Sequence, residues 1–181
     1  MTSPNNIQII DNFLPEEQFY NFTEAVTTAQ QFGNCDATAY AEESSNLNFA
    51  EQMSQAIMFR RMVNGAEVSD CYIHLQAQIQ DILKLLKVKR LWLMRLNCTF
   101  GQKERYQGTF HIDNLWSDYL KKYGKISILY LNTNNGGTQF KDGPFVESVA
   151  NRCVIAPMLA EHAGVWATDT KLRYVLNFNY E

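Results

Sequence analysis

Halfway along the chain the spacing of apolar residues changes, and that change limits the folds open to it. Up to residue 88 the clearest pattern is helical: Val68, Tyr72, Leu75, Ile79, Ile82 and Leu86 recur at spacings of four and three, one stripe down a helix. From Lys89 onward the apolar segments are short, β-branched and aromatic. They are Leu91 to Phe100 (LWLMRLNCTF), Lys125 to Asn132 (KISILYLN), Arg152 to Ala156 (RCVIA) and Leu172 to Tyr180 (LRYVLNFNY), separated by turns bearing Gly, Asn and Asp. Helices followed by many short strands point to an α+β chain in which helices buttress one face of a β-sandwich or barrel. Neither part is large enough to stand alone, so residues 1–181 read as a single domain, 1–88 mainly helical support and 89–181 the β core.

Ahead of that helix, Ile7 to Leu14 (IQIIDNFL) reads as a short strand ending in a turn. Pro15 then opens a helix with Glu16 and Glu17 in its first turn, where acidic groups favour the helix dipole. Phe19, Phe22 and Val26 lie three and four apart on one face, so this helix packs against something apolar. Residues 33–56 are polar and poorly periodic, and much of that stretch reads as loop.

The net charge of −3 gives no whole-protein basic field, so neither nucleic acid nor an anionic membrane is an expected partner. Cys35, Cys71, Cys98 and Cys153 are scattered with no CxxC pair, which fits neither a zinc framework nor a disulfide scaffold. Buried, reduced thiols in a cytoplasmic protein are the expectation. The first residues are polar, unlike a signal peptide, and no apolar run approaches the roughly 18 residues of a membrane helix. Nothing in the sequence indicates an oligomeric state.

Of the three histidines, His74 lies on or near the second helix and reads as a packed or surface residue. The other two stand in more suggestive places. In Phe110-His111-Ile112-Asp113, His111 and Asp113 flank one residue, and on an extended strand such positions point to the same face. His162, delivered by a later strand, would complete a set of two imidazoles and a carboxylate. That set leaves three coordination positions open, the pattern of non-haem iron(II) oxygenases. A structural zinc site would be closed by four protein ligands, usually including cysteine. By itself an HxD tripeptide arises often by chance.

Its surroundings add a resemblance. IQIIDNFLPEE at 7–17, FHIDN at 110–114, ILYLNTNNGGTQF at 128–140, NRCVIAPMLAEHAGVW at 151–166 and LRYVLNFNY at 172–180 together resemble, in order, the motifs of the 2-oxoglutarate/iron(II)-dependent dioxygenases, particularly compact prolyl 4-hydroxylase-like members. The resemblance implies a double-stranded β-helix (jelly-roll, cupin-like) core buttressed by N-terminal helices, with iron at one mouth. It implies His111, Asp113 and His162 as iron ligands, Arg173 as the group binding the distal carboxylate of 2-oxoglutarate, and Tyr130 as a hydrogen-bond partner of that carboxylate. A guanidinium fork suits a carboxylate better than a flexible ammonium. Lys171 is a neighbouring alternative on the same two-residue period. Asn177 could reach the cosubstrate or a metal-bound water, and Asn97 and Thr99 are further candidates for the cosubstrate. The chain departs from the pattern where Gly136-Gly137 runs directly into Thr138 with no acidic residue between, and where residues 101–109 only loosely match the loop before the first ligand.

The implied reaction couples oxidative decarboxylation of 2-oxoglutarate to hydroxylation of a C–H bond by dioxygen. Succinate and carbon dioxide leave, and the scheme has room for ascorbate as an auxiliary reductant. A prolyl residue in a peptide or protein is the first substrate implied, and a small molecule or free amino acid the second. Nucleic-acid oxidation ranks third, since no aromatic-basic stripe suggests a phosphate-tracking groove. The rival of a different class is a non-catalytic β-helix binding module. Residues 33–56 and 101–109 are expected at the entrance, with Arg105, Tyr106, Trp116 and Trp166 as candidate substrate contacts, each also open to a bland reading as packing or exposed surface.

Overall fold

In the computed structural model, residues 6–28, 52–61, 65–68, 74–113 and 118–181 are described, of which 52–61, 65–68, 118 and 119 by backbone alone. Strand β1 (Gln8–Ile10) leads into helix α1 (Glu16–Thr28), and β2 (Gln52–Arg61) and β3 (Gly65–Val68) precede helix α2 (Gln76–Leu85). Then come β4 (Leu91–Phe100), the short helix α3 (Asp118–Tyr123), β5 (Lys125–Tyr130), β6 (Gly137–Phe140), β7 (Phe145–Glu147), β8 (Cys153–Pro157), β9 (His162–Val165) and β10 (Leu172–Tyr180).

The strands form two antiparallel sheets. The larger has the order β1-β8-β5-β10-β4-β2-β3, the smaller β7-β6-β9. Residues 107–111 extend the smaller sheet, because Gln107 pairs with Val165 and His111 with His162 along the free side of β9. Mixed helices and facing antiparallel sheets give the α+β, double-stranded β-helix architecture expected from the sequence.

Strand alternation separates two apolar layers. On the outer face of the large sheet, Met94 and Leu96 of β4, Leu129 of β5 and Leu176, Phe178 and Tyr180 of β10 meet Phe19, Phe22 and Val26 of α1 and Ile79, Ile82 and Leu83 of α2. Burying each such side chain contributes about 1.5–3 kcal/mol, which is what holds helices too short to persist alone. On the inner face, Ile126, Ile128, Tyr130, Val154, Ala156 and Val175 meet Phe140 and Val146 of the small sheet. Pro15 opens α1, accepting a hydrogen bond from Phe19 N at its carbonyl while having no N–H of its own to leave orphaned. At the end of α2, Lys87 at φ 55° closes the helix, with Lys87 N donating to Lys84 O and Val88 N to Leu83 O. No helix among the described residues is long and apolar enough to cross a membrane.

Two segments differ from expectation. The end of the polar stretch read as loop is strand, since Gln52–Arg61 pairs with β4 and, by its second half, with β3. Val68, taken as the start of the helical stripe, instead pairs with Met58, and the helix begins only at Gln76. Pairing of β3 with β2, itself paired with β4, outweighs the local helical spacing at Val68. Most of the polar stretch, and Tyr72, lie outside the described residues.

Candidate metal centre

The segment carrying His111 runs antiparallel to β9, and His111 N donates to His162 O at 3.0 Å while His162 N donates to His111 O at 2.9 Å. This backbone pairing sets the two imidazoles side by side, their ring centroids 4.7 Å apart. Asp113, just beyond the paired residues, brings Oδ1 to 3.8 Å from Nε2 of both rings. One ligand atom from each of the three lies within 4.8 Å of the others, and no other such group of His, Cys, Asp or Glu occurs among the described residues. His74 is exposed, just ahead of α2, and is not part of this group.

The backbone also selects the tautomers. His111 Nδ1 faces Thr109 O at 3.1 Å and His162 Nδ1 faces Ala160 O at 2.9 Å. A carbonyl only accepts, so each Nδ1 carries the proton and each Nε2 presents a lone pair toward Asp113. Burial, reinforced by the neighbouring His111, lowers the His162 pKa below its ordinary value despite the opposing pull of Asp113. That keeps the neutral imidazole, the form that binds a metal. His162 is buried, with Phe140 packed against its ring at 5.9 Å, while His111 and Asp113 are only half-buried. The centre is therefore closed behind and open in front. Three ligands of this kind with open positions suit iron(II) and leave a structural zinc site incomplete.

Deeper between the sheets stands Arg173. It is 5% exposed, its Nη2 donates to Gly137 O at 3.0 Å, and its Nε has no partner among the described residues. Its guanidinium lies 5.6 Å over the Tyr130 ring. Burial lowers its pKa, an effect that Tyr130 only partly offsets. A buried cation without a carboxylate costs several kcal/mol, so the position calls for an anion. Thr99, directly opposite on β4, is likewise buried with Oγ1 unpartnered. Gly137 lets β7 lie close against β6 here, because a Cβ there would fall 2.2 Å from Val146 O.

Tyr130 is fully buried beside Arg173, but its hydroxyl is already engaged, 2.9 Å from Thr138 Oγ1 and 3.3 Å from Val146 O. Burial raises its pKa, against the lowering charge of Arg173. To donate to a bound carboxylate the hydroxyl must turn away from Thr138. Lys171 is exposed, so Arg173 alone of the two faces the interior. Loop 101–105 lies at the barrel end opposite the metal: Gln102 N bonds Ala167 O and Gly101 N bonds Lys171 O. There Tyr106 and Trp166 pack edge to face at 5.2 Å and Arg105 covers the Phe145 ring at 4.5 Å. Of the candidate substrate contacts, Tyr106 and Trp166 thus pack on each other and Arg105 is exposed over Phe145, and Trp116 lies outside the described residues.

No family model matches the sequence, and no curated protein matches it. Solved structures do. A prolyl hydroxylase from Trichoplax adhaerens, in complex with a hypoxia inducible factor oxygen degradation domain peptide fragment, superposes with TM-score 0.60 at 15% identity over 97% of this chain and 83% of that one. An oxidoreductase of the 2OG-Fe(II) oxygenase family from Burkholderia pseudomallei gives TM-score 0.58 at 8% identity over 97% and 84%. The chain has the 2OG-Fe(II) oxygenase fold. A third neighbour in this fold is the non-heme alpha ketoglutarate dependent epimerase SnoN from nogalamycin biosynthesis, with TM-score 0.59 and 15% identity over 98% and 78%.

Within this oxygenase fold, β9 runs from His162 to Val165, and the turn at 166–171 returns the chain into β10. Arg173 is thus level with Val165, and Val175, Asn177 and Asn179 step back along the inner face toward the His162 end. Asn177 lies about 13 Å along the strand from Arg173, at about 3.3 Å per residue. Asn179 shares that inner face with Asn177, because in LRYVLNFNY the asparagines occupy the alternate positions between Leu176, Phe178 and Tyr180.

Proposed function

We propose that this chain is a 2-oxoglutarate- and Fe(II)-dependent dioxygenase that hydroxylates a C–H bond. The observation that carries the reading is Arg173, a buried cation with no acidic partner among the described residues, on the inner surface that also holds the triad. An iron ion would satisfy one incomplete site, and a carboxylate of a dianionic keto acid would satisfy the other.

The donor set fits the ion. His111, Asp113 and His162 would hold Fe(II), which with bound 2-oxoglutarate would supply dioxygen activation, releasing succinate and carbon dioxide as one oxygen atom enters the substrate C–H bond. The protein's share is positional. Thr109 and Ala160 carbonyls hold both Nε2 lone pairs toward the ion. Gly137 O and the Tyr130 ring fix the plane of Arg173, leaving its Nε edge for a carboxylate. Tyr130 would join that contact by turning from Thr138, and Asn177 faces the space nearer the ion. The packed layer of Phe140 and Val175 limits water behind the site. Dioxygen is the co-reactant, and ascorbate would act only as an auxiliary reductant.

A prolyl residue in a peptide or protein is the substrate class supported by the Trichoplax neighbour and its peptide. A small molecule or free amino acid is the second reading, favoured by polar side chains lining the inner face of β4 and β10. A reducing, cytoplasmic setting belongs to the proposal, supported by the buried thiols of Cys98 and Cys153. The test is a screen for substrate-stimulated succinate release with proline-containing peptides, free amino acids and oligonucleotides. Stimulation by a member of the first two classes is expected. Absence of succinate under every condition, with iron bound, would favour the non-catalytic binding module.

A further inference from the structure

Between the two histidine ligands and the aromatic pair lies a stretch of the small sheet without side chains. Gly108 N donates to Gly164 O at 2.9 Å and Trp166 N to Tyr106 O at 2.8 Å. Three rungs therefore follow one another: His111 with His162, Gly108 with Gly164, and Tyr106 with Trp166. His111 stands three residues beyond Gly108 while His162 stands two before Gly164, so one extra residue is bulged out between them. The face that Gly164 turns is the inner one, because Gly164 pairs with Thr138, whose hydroxyl accepts a hydrogen bond from Tyr130 of the facing sheet. Gly108, directly opposite, and Trp166, two residues on, share that face.

Neither glycine has the left-handed backbone that itself calls for glycine. Their missing side chains make room instead. A Cβ on Gly108 would stand 3.0 Å from Cζ3 and 3.3 Å from Cη2 of Trp166, and one on Gly164 would stand 3.7 Å from the same Cζ3. The indole thus leans back from its own rung across both glycines, toward the histidines one two-residue step further on, about 6.6 Å along the strand. Among the described residues, only that ring tip comes within 4 Å of the position in front of Gly164. Gly164 itself is half-buried although Ala163 and Val165 beside it are sealed. Tyr106 braces the indole edge to face on its own rung.

We infer that the Trp166 indole is the wall that selects the substrate, holding an uncharged saturated ring or branched aliphatic group over the two glycines, beside His111 and His162. The two rungs nearest that group offer glycine backbone and aromatic rings and no charged side chain. An aromatic face is negative, so C–H groups pack on it well, whereas a carboxylate brought there would be desolvated without a partner. A prolyl ring meets these terms in a peptide or in a small molecule, and a glutamyl side chain does not. The reaction of the selected group rests on the oxygenase reading; its selection by the indole does not.

The test is calorimetric titration of the anaerobic protein, once with iron(II) alone and once with iron(II) and 2-oxoglutarate, using the N-acetyl amides of proline, leucine, glutamate and lysine. The proline or the leucine amide should bind at least tenfold more tightly than the glutamate and lysine amides, and its binding should change the tryptophan emission. Trp166→Leu should weaken the favoured amide at least tenfold, remove the emission change and leave 2-oxoglutarate binding intact, and Trp166→Phe should recover part of the affinity. Gly108→Val displaces the indole instead of removing it, with a residue that suits a strand, and should lose the same amide. A merely structural indole would lower the melting temperature when replaced and leave the selectivity unchanged. The inference is overturned if no amide binds, if either charged amide binds as tightly as the apolar ones, or if Trp166→Leu and Gly108→Val both keep the original selectivity. Failure of 2-oxoglutarate to bind would instead remove the oxygenase reading, because the amide series on the iron(II) protein is scored separately.

Discussion

His111 and His162 face each other across an antiparallel pair and exchange both backbone hydrogen bonds, so the spacing of their imidazoles is fixed by main chain rather than by side-chain choice. Asp113 then needs only the short step past the pair to come within 3.8 Å of both rings. Replacing His111 or His162 by alanine should leave the fold in place and cut cobalt(II) or iron(II) affinity by at least about 100-fold, since even outer partners of metal ligands cost 10–100-fold. Metal titration followed by calorimetry, with circular dichroism as the fold control, checks it. Unchanged affinity in either variant would remove the centre.

Arg173 sets stability against ligand binding. Its charge is buried without a carboxylate, so Arg173→Met should raise the stability of the ligand-free protein, by about 1–4 kcal/mol if it behaves like other buried charges replaced by apolar groups. The same substitution should abolish the rise in melting temperature that 2-oxoglutarate gives the original protein. Thermal denaturation with and without 2-oxoglutarate reads both effects. A large loss of stability in the ligand-free variant would mean that Arg173 is a structural residue.

Asn151 ties the N-terminal segment to the turn between β7 and β8. It sits at φ 64°, accepts a hydrogen bond from Leu14 N at 2.9 Å and donates one to Leu14 O at 2.8 Å. Asn151→Ala strands both Leu14 groups and adds left-handed strain, a cost of about 2–4 kcal/mol. Asn151→Gly relieves the strain but not the lost bonds and should cost less. Chemical denaturation of the two variants gives the order.

Burial pushes the Cys153 thiol up to about 12, and Cys98 is buried as well. The thiolate is the reactive species, so neither should react with a thiol reagent at pH 8 in the native state. In a Cys35→Ser/Cys71→Ser protein, the reagent should modify nothing until denaturant is added, and then both remaining cysteines. Rapid native labelling would show that this layer opens.

The bounds of β4 and β10 were legible in the sequence because they depend on a two-residue period. The grouping of His111, Asp113 and His162 was legible from its motifs rather than from a strand, since His111 forms an isolated bridge and Asp113 lies beyond it. The β2–β3 hairpin was not legible, since QMSQAIMFRR lacks clean alternation and is held by pairing with β4, a contact no local pattern encodes. Strands β6 and β7 are only four and three residues long, too short for a period to show. The position of Arg173 could be read, whereas its lack of a counter-ion could not, because that depends on which side chains the two sheets bring around it. The contacts of Arg105, Tyr106 and Trp166 were not legible for a related reason: they depend on the pairing of the segment before His111 with β9.

In the proposed reaction the triad and Arg173 would together serve one bound molecule of 2-oxoglutarate, and anaerobic titration of the iron(II) protein with 2-oxoglutarate tests that most directly. The weak visible charge-transfer band of a chelated keto acid should grow and saturate, and Arg173→Met should bind iron(II) as before yet give no band at concentrations that saturate the original protein. No band in the original protein, or a band of undiminished affinity in the variant, would contradict it.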